Sequence, residues 1–210
     1  MSTLRLGILA SGRGSNFAGI LSSIQKGKLD AEVRVLVSNK KRAGALELAR
    51  ENRIPDIFLS HKVYFEPEQY DAALERILTD CGVNFVALAG YLKYLTPRII
   101  TKFRNRILNM HPALLPSFGG KGMYGSNVHK AVLERGSKVS GATVHLVDEV
   151  YDHGPIIVQQ GVPVLGDDTP ESLAARVLKV EHKIYSEALQ YFAEDRVRIE
   201  GLRARILPNA

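Results

Sequence analysis

The sequence is poor in the features that mark secreted, membrane and metal-held proteins. Its 210 residues include a single cysteine, Cys81, which excludes an internal disulfide bond and a cysteine-based zinc site. No apolar run approaches the length of a bilayer-spanning helix, and the apolar part of the N-terminus is too short for a signal peptide. Many nucleic-acid-binding proteins carry a dense basic run interleaved with aromatic residues, and this sequence has none. We therefore expect a cytoplasmic protein with no membrane and no nucleic-acid partner.

The composition is that of a globular chain that can bury a substantial core. Apolar residues make up 45% of it and charged residues 24%. The net charge of +6 favours anionic ligands such as phosphates or carboxylates, and it is equally compatible with a solvated basic surface. Because no low-complexity linker or internal repeat interrupts the chain, we predict one domain over residues 1–210. It has two halves, 1–105 and 106–195, and a tail, 196–210.

Short apolar runs alternate with segments of helical period. Strands are predicted over 4–10, 32–38, 56–60, 84–90 and 106–110, and helices over 15–26, 43–52, 67–81 and 97–103. After residue 125, the pattern predicts a helix, two extended runs at 138–147 and 155–165, a long helix capped by Thr169 and a terminal hairpin. The fold class is therefore α/β, with a mainly parallel central sheet, helices on both faces and an antiparallel C-terminal extension.

The loop after the first strand, "SGRGSN", leads directly into a predicted helix. Glycines allow a close backbone approach, and a helix start offers unpaired N–H groups, so Gly14, Ser15 and Asn16 could hold a phosphate. The alternative is a tight turn without a ligand. The loop matches neither the dinucleotide fingerprint nor a Walker A loop, and the polar pair Ser15–Asn16 favours phosphate.

A second group of polar residues follows the fifth strand, in "NMHP". Asn109 and His111 are two residues apart on a strand, so their side chains point to the same face. Imidazole suits proton transfer near neutral pH, and an amide can donate to an oxyanion. Asp152, in the turn "DEVYDHGP", would raise the pKa of His111 if it lay nearby. Taken alone, a hydrogen-bonded structural histidine is the simpler explanation. The histidines show no metal-ligand spacing, so we expect no metal.

Glu181 lies on the apolar stripe of the last long helix, between Val177 and Ile184. An inward-facing carboxylate is costly unless it is paired. Two readings are equally good: Glu181 belongs to an internal hydrogen-bond network, or it binds substrate hydroxyl groups.

Together these segments resemble one known family. "SGRGSN", "VSNK", "ALAGYLKYLTP", "ILNMHPALLPSF", "GATVHLVDEVYDHGPIIVQQGVPV" and "VEHKIY" occur in the order found in phosphoribosylglycinamide formyltransferases, the folate-dependent GAR transformylases. The resemblance covers about residues 4 to 195. It implies a Rossmann-like formyltransferase fold and transfer of the formyl group of 10-formyltetrahydrofolate to the amine of 5-phosphoribosylglycinamide in de novo purine biosynthesis. Small-molecule substrates and a monomer or homodimer are expected.

The resemblance also implies residue roles. Asn109, His111 and Asp152 are the catalytic triad: Asn109 and a protonated His111 stabilise the oxyanion, and Asp152 keeps His111 cationic. Gly14, Ser15 and Asn16 bind the substrate phosphate, and Glu181 contacts the ribose. The folate-binding residues are Leu92, Lys93, Tyr94, Leu95, Asn109 and Asp148. The first half, 1–105, is thus the phosphate-binding half, and 106–195 the catalytic and folate half. Residues 119–125 are interpreted as a mobile cover.

Related activities remain as alternatives. A methionyl-tRNA formyltransferase would share the triad and is expected to add a C-terminal tRNA-binding domain. A formyltetrahydrofolate hydrolase is expected to carry an extra N-terminal regulatory domain, whereas the first strand here is predicted from residue 4. A non-catalytic phosphometabolite-binding module is the alternative from another class, and an intact triad argues against it.

Overall fold

The structure, a computed structural model, describes residues 3–64 and 66–208, and only the backbone of residue 67. The chain forms two compact units, Met1–Leu108 and Asn109–Ala210. A single domain over the whole chain, with halves meeting at 105 and 106, stays a prediction. The last two residues of the predicted tail lie outside the described residues.

In the first unit, strands and helices alternate along the chain as predicted. The strands are β1 (Leu4–Ala10), β2 (Ala31–Ser38), β3 (Asp56–Phe58) and β4 (Phe85–Leu88), and the helices are α1 (Ser15–Gln25), α2 (Gly44–Glu51), α3 (Pro67–Asp80) and α4 (Pro97–Lys102). A short 3₁₀ turn, His61–Val63, was not predicted. β1 pairs in parallel with β2 and β4, and β2 with β3. The loops that follow β1, β2 and β4 therefore lie at one edge of a parallel sheet, where ligands bind in such folds.

Strand β1 is buried, and helix α3 packs closely against it. Six of the seven residues of β1 are buried, and a Cβ atom at Gly7 would lie 2.6 Å from Leu78 Cδ2 of α3. β4 is buried along its whole length. Strands covered on both faces carry continuous apolar runs rather than alternating ones, which is why β1 and β4 could be read from the sequence.

The second unit is built around antiparallel pairs. β5 (Ile107–His111) crosses the boundary between the units. The remaining elements are α5 (Ser126–Glu134), β6 (Val139–Leu146), β7 (Ile156–Pro163), α6 (Pro170–Ala193), β8 (Val197–Glu200) and β9 (Arg203–Ile206). β6 pairs antiparallel with β7, and β8 with β9, while β9 runs parallel to β7. The predicted terminal hairpin is therefore confirmed.

Helix α6 begins where the sequence places its cap. Thr169 Oγ1 accepts the Ser172 N–H at 3.2 Å, and Ser172 Oγ accepts the Thr169 N–H at 3.0 Å, which satisfies two N–H groups that would otherwise lack partners. Of the apolar positions predicted to face inward, Leu173, Val177, Ile184 and Ala188 are buried and Val180 is half-buried. Glu181 is buried as its position on this stripe predicts, so a carboxylate occupies an inward position of the helix.

None of the helices within residues 3–64 and 66–208 is long and apolar enough to cross a membrane.

Candidate active site

The three residues predicted to be catalytic lie together in the second unit. His111 Nδ1 is 3.5 Å from Asp152 Oδ2, and Asn109 Nδ2 is 3.5 Å from Asp152 Oδ1. Asn109 and His111 come from the end of β5, and Asp152 comes from the turn between β6 and β7. The structure therefore places an amide, an imidazole and a carboxylate from distant parts of the sequence within contact distance.

The turn that carries Asp152 is tightly fixed. Asp152 has a left-handed backbone with a φ of 53°. A Cβ atom at Gly154 would lie 2.0 Å from the Leu146 carbonyl oxygen, so only glycine allows the chain to return this close to β6. The Leu146 N–H then donates to the Pro155 carbonyl at 2.8 Å. Because both ends of the turn are held, the carboxylate of Asp152 has a defined position.

Asp152 is ionised at neutral pH. Burial raises the pKa of its carboxyl, but contacts with His145 and His111 and the Gly120 N–H lower it more, so the pKa lies below its ordinary value. The Gly120 N–H donates to Asp152 Oδ2 at 2.9 Å. The carboxylate is 11% exposed, so solvent screens these interactions only weakly.

His111 is buried, and burial lowers its pKa more than its neighbours raise it. The Asp152 carboxylate and the Phe118 carbonyl favour the imidazolium, and His145 opposes it, so the net direction is downward from 6.5. The expectation that Asp152 keeps His111 cationic is therefore wrong for this arrangement. His111 Nε2 lies 2.8 Å from the Phe118 carbonyl oxygen, which only accepts, so Nε2 carries the proton of the neutral ring.

A second histidine, His145 of β6, belongs to the same cluster and was missed in the sequence. Its Nδ1 donates to the Leu146 carbonyl at 2.9 Å, and its Nε2 lies 3.1 Å from the Asn109 amide nitrogen. His145 Nε2 is also 3.6 Å from Asp152 Oδ1. The available signal was its spacing: Thr143 and His145 share one face of a strand that otherwise reads as apolar.

Asn109 has one amide hydrogen that a substrate could use. Its first N–H is directed to His145 Nε2 at 3.1 Å. The second faces Asp152 Oδ1 at 3.5 Å, the outer limit of a hydrogen bond, so this contact is easily exchanged for a closer acceptor. His145 thus sets the orientation of the amide and leaves a donor next to Asp152.

The start of the glycine-rich loop covers this cluster through backbone atoms. Phe118, with a φ of 56°, directs its carbonyl to His111, and the Gly120 N–H bonds to Asp152. A Cβ atom at Gly119 would lie 2.6 Å from Leu115 Cδ2 and 3.3 Å from Asp152 Cβ. Residues 118–120 therefore contact the catalytic cluster directly, and a mobile cover over 119–125 stays a prediction.

In the first unit, the loop "SGRGSN" leads into α1 as predicted. Gly14 is the N-cap residue, with a left-handed φ of 88° and no side-chain hydrogen bond capping the helix. A Cβ atom at Gly14 would lie 3.0 Å from Ala45, whereas nothing lies within 4 Å of one at Gly12. This close packing against α2 is sufficient to explain why a glycine stands at position 14. The uncapped start of α1 and the exposed Ser15 leave room for an anion there.

The segment after β4 presents apolar side chains to solvent. Leu92 is 52% exposed and Tyr94 41%, whereas Lys93 is half-buried and Leu95 is buried. Large apolar groups exposed close together on a loop are typical of a surface that meets an apolar ligand. Of the predicted folate-binding residues in this segment, Leu92 and Tyr94 are the most exposed.

Asp148 and Glu181, two other predicted contact residues, lie in the second unit. Asp148 Oδ2 lies 2.7 Å from His153 Nδ1, and Asp148 Oδ1 accepts the Val150 N–H at 2.9 Å. Glu181 is buried, with 7% of its surface exposed. In the part of the chain that the structure describes, no group of three or more histidine, cysteine, aspartate or glutamate side chains is placed to hold a metal ion.

Comparison with known proteins decides the family. The sequence pattern of a family described as "Formyl transferase" matches residues 4–189. The chain belongs to the formyl transferase family. Its matched segment includes β1, the loop "SGRGSN" and all four members of the cluster around Asp152.

Relatives within the formyl transferase family match most of the chain. The phosphoribosylglycinamide formyltransferase, chloroplastic, of Arabidopsis thaliana is 47% identical over 196 residues, which cover 92% of this chain and 67% of that protein. The trifunctional purine biosynthetic protein adenosine-3 of Gallus gallus is 39% identical over 93% of this chain, which corresponds to 19% of the larger protein. The crystal structure of glycinamide ribonucleotide transformylase 1 from Symbiobacterium toebii superposes with a TM-score of 0.94, at 43% identity, over 98% of this chain and 95% of that chain.

These likenesses confirm the predicted fold class. The chain has the formyltransferase fold, with a mostly parallel sheet, helices and antiparallel strands toward the C-terminus. The family is described as formyl transferases and the relatives of this chain include phosphoribosylglycinamide formyltransferases, so the chain is a member of an enzyme family.

Proposed function

We propose that this chain transfers the formyl group of 10-formyltetrahydrofolate to the amine of 5-phosphoribosylglycinamide, a step of de novo purine biosynthesis. The observation that carries the proposal is the cluster of Asn109, His111 and Asp152, held at 3.5 Å contacts in a formyl transferase. The names of its relatives, phosphoribosylglycinamide formyltransferase above all, support this acceptor.

The proposed acceptor contacts follow from the chemistry of a phosphoribosyl amine. Gly14, Ser15 and Asn16 would bind the phosphate, since the start of α1 offers N–H groups and the positive end of the helix dipole. Glu181 would accept hydrogen bonds from ribose hydroxyl groups, because a carboxylate is an acceptor that pairs well with vicinal hydroxyls.

The proposed folate contacts combine an apolar surface with hydrogen-bonding groups. Leu92, Lys93, Tyr94 and Leu95 would line the folate, and the exposed Leu92 and Tyr94 fit its flat, partly apolar ring system. Asn109 and Asp148 would bind its polar edge. When bound, 10-formyltetrahydrofolate supplies the carbonyl carbon that the acceptor amine attacks.

The reaction forms one C–N bond and breaks another. The acceptor nitrogen attacks the formyl carbon, and the carbonyl electron pair moves to oxygen. The nitrogen must lose a proton, and the leaving N10 must gain one as its bond to carbon breaks. Collapse of the tetrahedral intermediate gives N-formylated acceptor and tetrahydrofolate, so atoms and electrons balance without an oxidant or a metal ion.

Asn109, His111 and Asp152 each have a role that the geometry supports. The Asn109 amide donates to the developing oxyanion through the hydrogen that now faces Asp152. His111, neutral at rest, accepts the proton of the attacking amine and returns it to N10. Asp152 stabilises the imidazolium formed between these two steps, because its carboxylate lies 3.5 Å from His111 Nδ1.

The test is formyl transfer from 10-formyltetrahydrofolate to three acceptors in parallel: phosphoribosylglycinamide, methionyl-tRNA and water. We expect turnover only with the first acceptor. His111→Asn should lose at least about a hundredfold in kcat while keeping a cooperative thermal transition, because it removes the proton acceptor and leaves the rest of the cluster. Faster turnover with either control acceptor would contradict the proposed acceptor, and near-wild-type turnover by His111→Asn would contradict the proposed catalyst.

Other expectations about the chain stay predictions. They are a cytoplasmic location, the absence of a nucleic-acid partner and a monomeric or homodimeric state. Sedimentation at several protein concentrations would decide the last of these, and cell fractionation the first.

A further inference from the structure

One buried serine joins three loops of the first unit. Ser11 follows β1 directly, and its N–H donates to the Gly90 carbonyl at 3.0 Å. Its Oγ accepts the Leu92 N–H at 2.8 Å and donates to Asn39 Oδ1 at 2.6 Å. Ser11 and Asn39 are 8% and 5% exposed. The loops after β1, β2 and β4 are thus tied together through a single hydroxyl group.

The same serine stands between two proposed binding segments. Residues 12–16, which begin immediately after Ser11, form the phosphate loop. Residues 91–96, which we call the platform, carry the exposed side chains of Leu92 and Tyr94. The Leu92 N–H is a platform atom, so the hydrogen bond to Ser11 connects the backbone of the platform to the first residue before the phosphate loop.

Helix α3 holds the two ends of the platform independently of Ser11. The hydroxyl groups of Tyr70 and Tyr91 are 2.6 Å apart in a buried pair. At the other end, Thr96 Oγ1 donates to the carboxylate of Asp71, which is 2% exposed. Because α3 holds both ends of the platform, the Leu92 backbone between them is the part that the hydrogen bond to Ser11 controls.

We propose that Ser11 is a positioning residue that couples the phosphate loop to the platform, so that an anion bound at the loop favours binding of the folate at the platform. The inference rests on the proposed function for the identity of the two ligands. A ligand that orders residues 12–16 also orders Ser11, and the fixed Ser11 hydroxyl restricts the Leu92 backbone. Binding of the second ligand then costs less conformational entropy, and by linkage each ligand raises the affinity for the other.

The test measures dissociation constants by calorimetry for phosphoribosylglycinamide, with and without saturating tetrahydrofolate, which carries no formyl group to transfer. In the wild type, we expect the first ligand to bind at least about fivefold more tightly when the second is present. In Ser11→Ala, this ratio should fall to about one, since the Leu92 N–H and Asn39 Oδ1 lose their common partner. A ratio unchanged in Ser11→Ala would overturn the proposal, as would a wild-type ratio of one.

Tyr70→Phe is the matched control, because it removes one hydroxyl that holds the platform and does not touch the phosphate loop. It should weaken tetrahydrofolate binding severalfold and leave the ratio as in the wild type. A merely structural role of Ser11 would weaken each ligand in the same way with or without the other. Loss of the ratio in Tyr70→Phe as well would mean that general loosening, rather than Ser11, carries the effect, and would overturn the proposal.

A second measurement keeps the proposal testable apart from the proposed function. Amide hydrogen exchange of the wild-type chain is followed while inorganic phosphate is added. Slower exchange at residues 12–16 together with slower exchange at Leu92 supports the link, and Ser11→Ala should abolish the second effect only. Protection of 12–16 that leaves Leu92 unchanged would overturn it. Failure of both ligands to bind in calorimetry, with the exchange link intact, would instead contradict the proposed function.

Discussion

Replacing Asp152 by asparagine removes one negative charge and keeps the shape of the side chain. His111 Nδ1 lies 3.5 Å from Asp152 Oδ2, and both side chains are nearly buried. Two unit charges at this distance, in surroundings with an effective dielectric constant of about 20, attract each other by about 4 to 5 kcal/mol. If His111 becomes an imidazolium during the reaction, the variant loses this attraction at the barrier. Because about 1.4 kcal/mol corresponds to a factor of ten, we expect kcat to fall about a thousandfold.

The assay is the initial rate of formyl transfer at neutral pH with both substrates saturating. Glu149→Gln, which removes an exposed carboxylate from the same turn, is the control and should keep its rate. Thermal unfolding of both variants checks that the fold survives, since an asparagine oxygen can still accept the Gly120 N–H. A loss smaller than about tenfold in Asp152→Asn would refute the reasoning, because it would mean that no cation forms beside this carboxylate.

The pH dependence of the rate is an independent test of the roles of His111 and Asp152. Burial holds the pKa of His111 below 6.5, so the neutral base is present at neutral pH and is lost as the pH falls through that lowered value. Activity should therefore rise with pH on the acid side. Asp152 raises the pKa of His111, so in Asp152→Asn the pH at which activity is lost on acidification should be lower than in the wild type. Movement to higher pH, or an activity that rises on acidification, would contradict a neutral His111 at rest.

Two further predictions concern stability. Gly154→Ala places a Cβ atom 2.0 Å from the Leu146 carbonyl oxygen and should lower the free energy of unfolding, measured in urea, by about 3 kcal/mol. Gly166→Ala, with nothing within 4 Å of its Cβ atom, is the control and should change this free energy by less than about 0.5 kcal/mol. Equal effects in the two variants would show that the turn at Gly154 relaxes. Hydrogen bonds from Arg176 hold the pKa of Asp168 below its ordinary 3.8, so the stability that this carboxylate contributes is present above pH 3.8 and is lost as the pH falls below it. The wild type should therefore exceed Asp168→Asn in unfolding midpoint at pH 5 and approach it at about pH 2; a constant difference would contradict this.

Elements with strong local signals could be read from the sequence. The bounds of β1, Leu4–Ala10, agree with the prediction because this buried parallel strand is apolar apart from Arg5 and ends at a polar, glycine-containing loop. The start of α6 agrees because Thr169 caps it through its own side chain, a local interaction. β3 is shorter than predicted, Asp56–Phe58, since pairing with β2 rather than local preference decides where this strand ends.

The chemistry of the cluster was harder to read because it depends on contacts between distant residues. The spacing of Asn109 and His111 indicated one shared face, but it could not show that His145 orients the Asn109 amide. Nor could it show the Phe118 carbonyl against His111. The upward effect of Asp152 on the pKa of His111 was predicted correctly, but the larger downward effect of burial was not, because a carboxylate neighbour is visible as a residue type whereas the depth of burial is not.

The contacts of residues 118–120 with the cluster have a consequence for how this stretch tolerates mutation. The Phe118 carbonyl and the Gly120 N–H are main-chain atoms, so the atoms that meet His111 and Asp152 are the same whatever side chain stands at position 118. Selection can therefore vary that side chain freely, within the residues that accept a left-handed backbone, while Gly119 stays fixed by its crowding against Leu115. We therefore expect related sequences to vary at position 118 and to keep glycine at position 119.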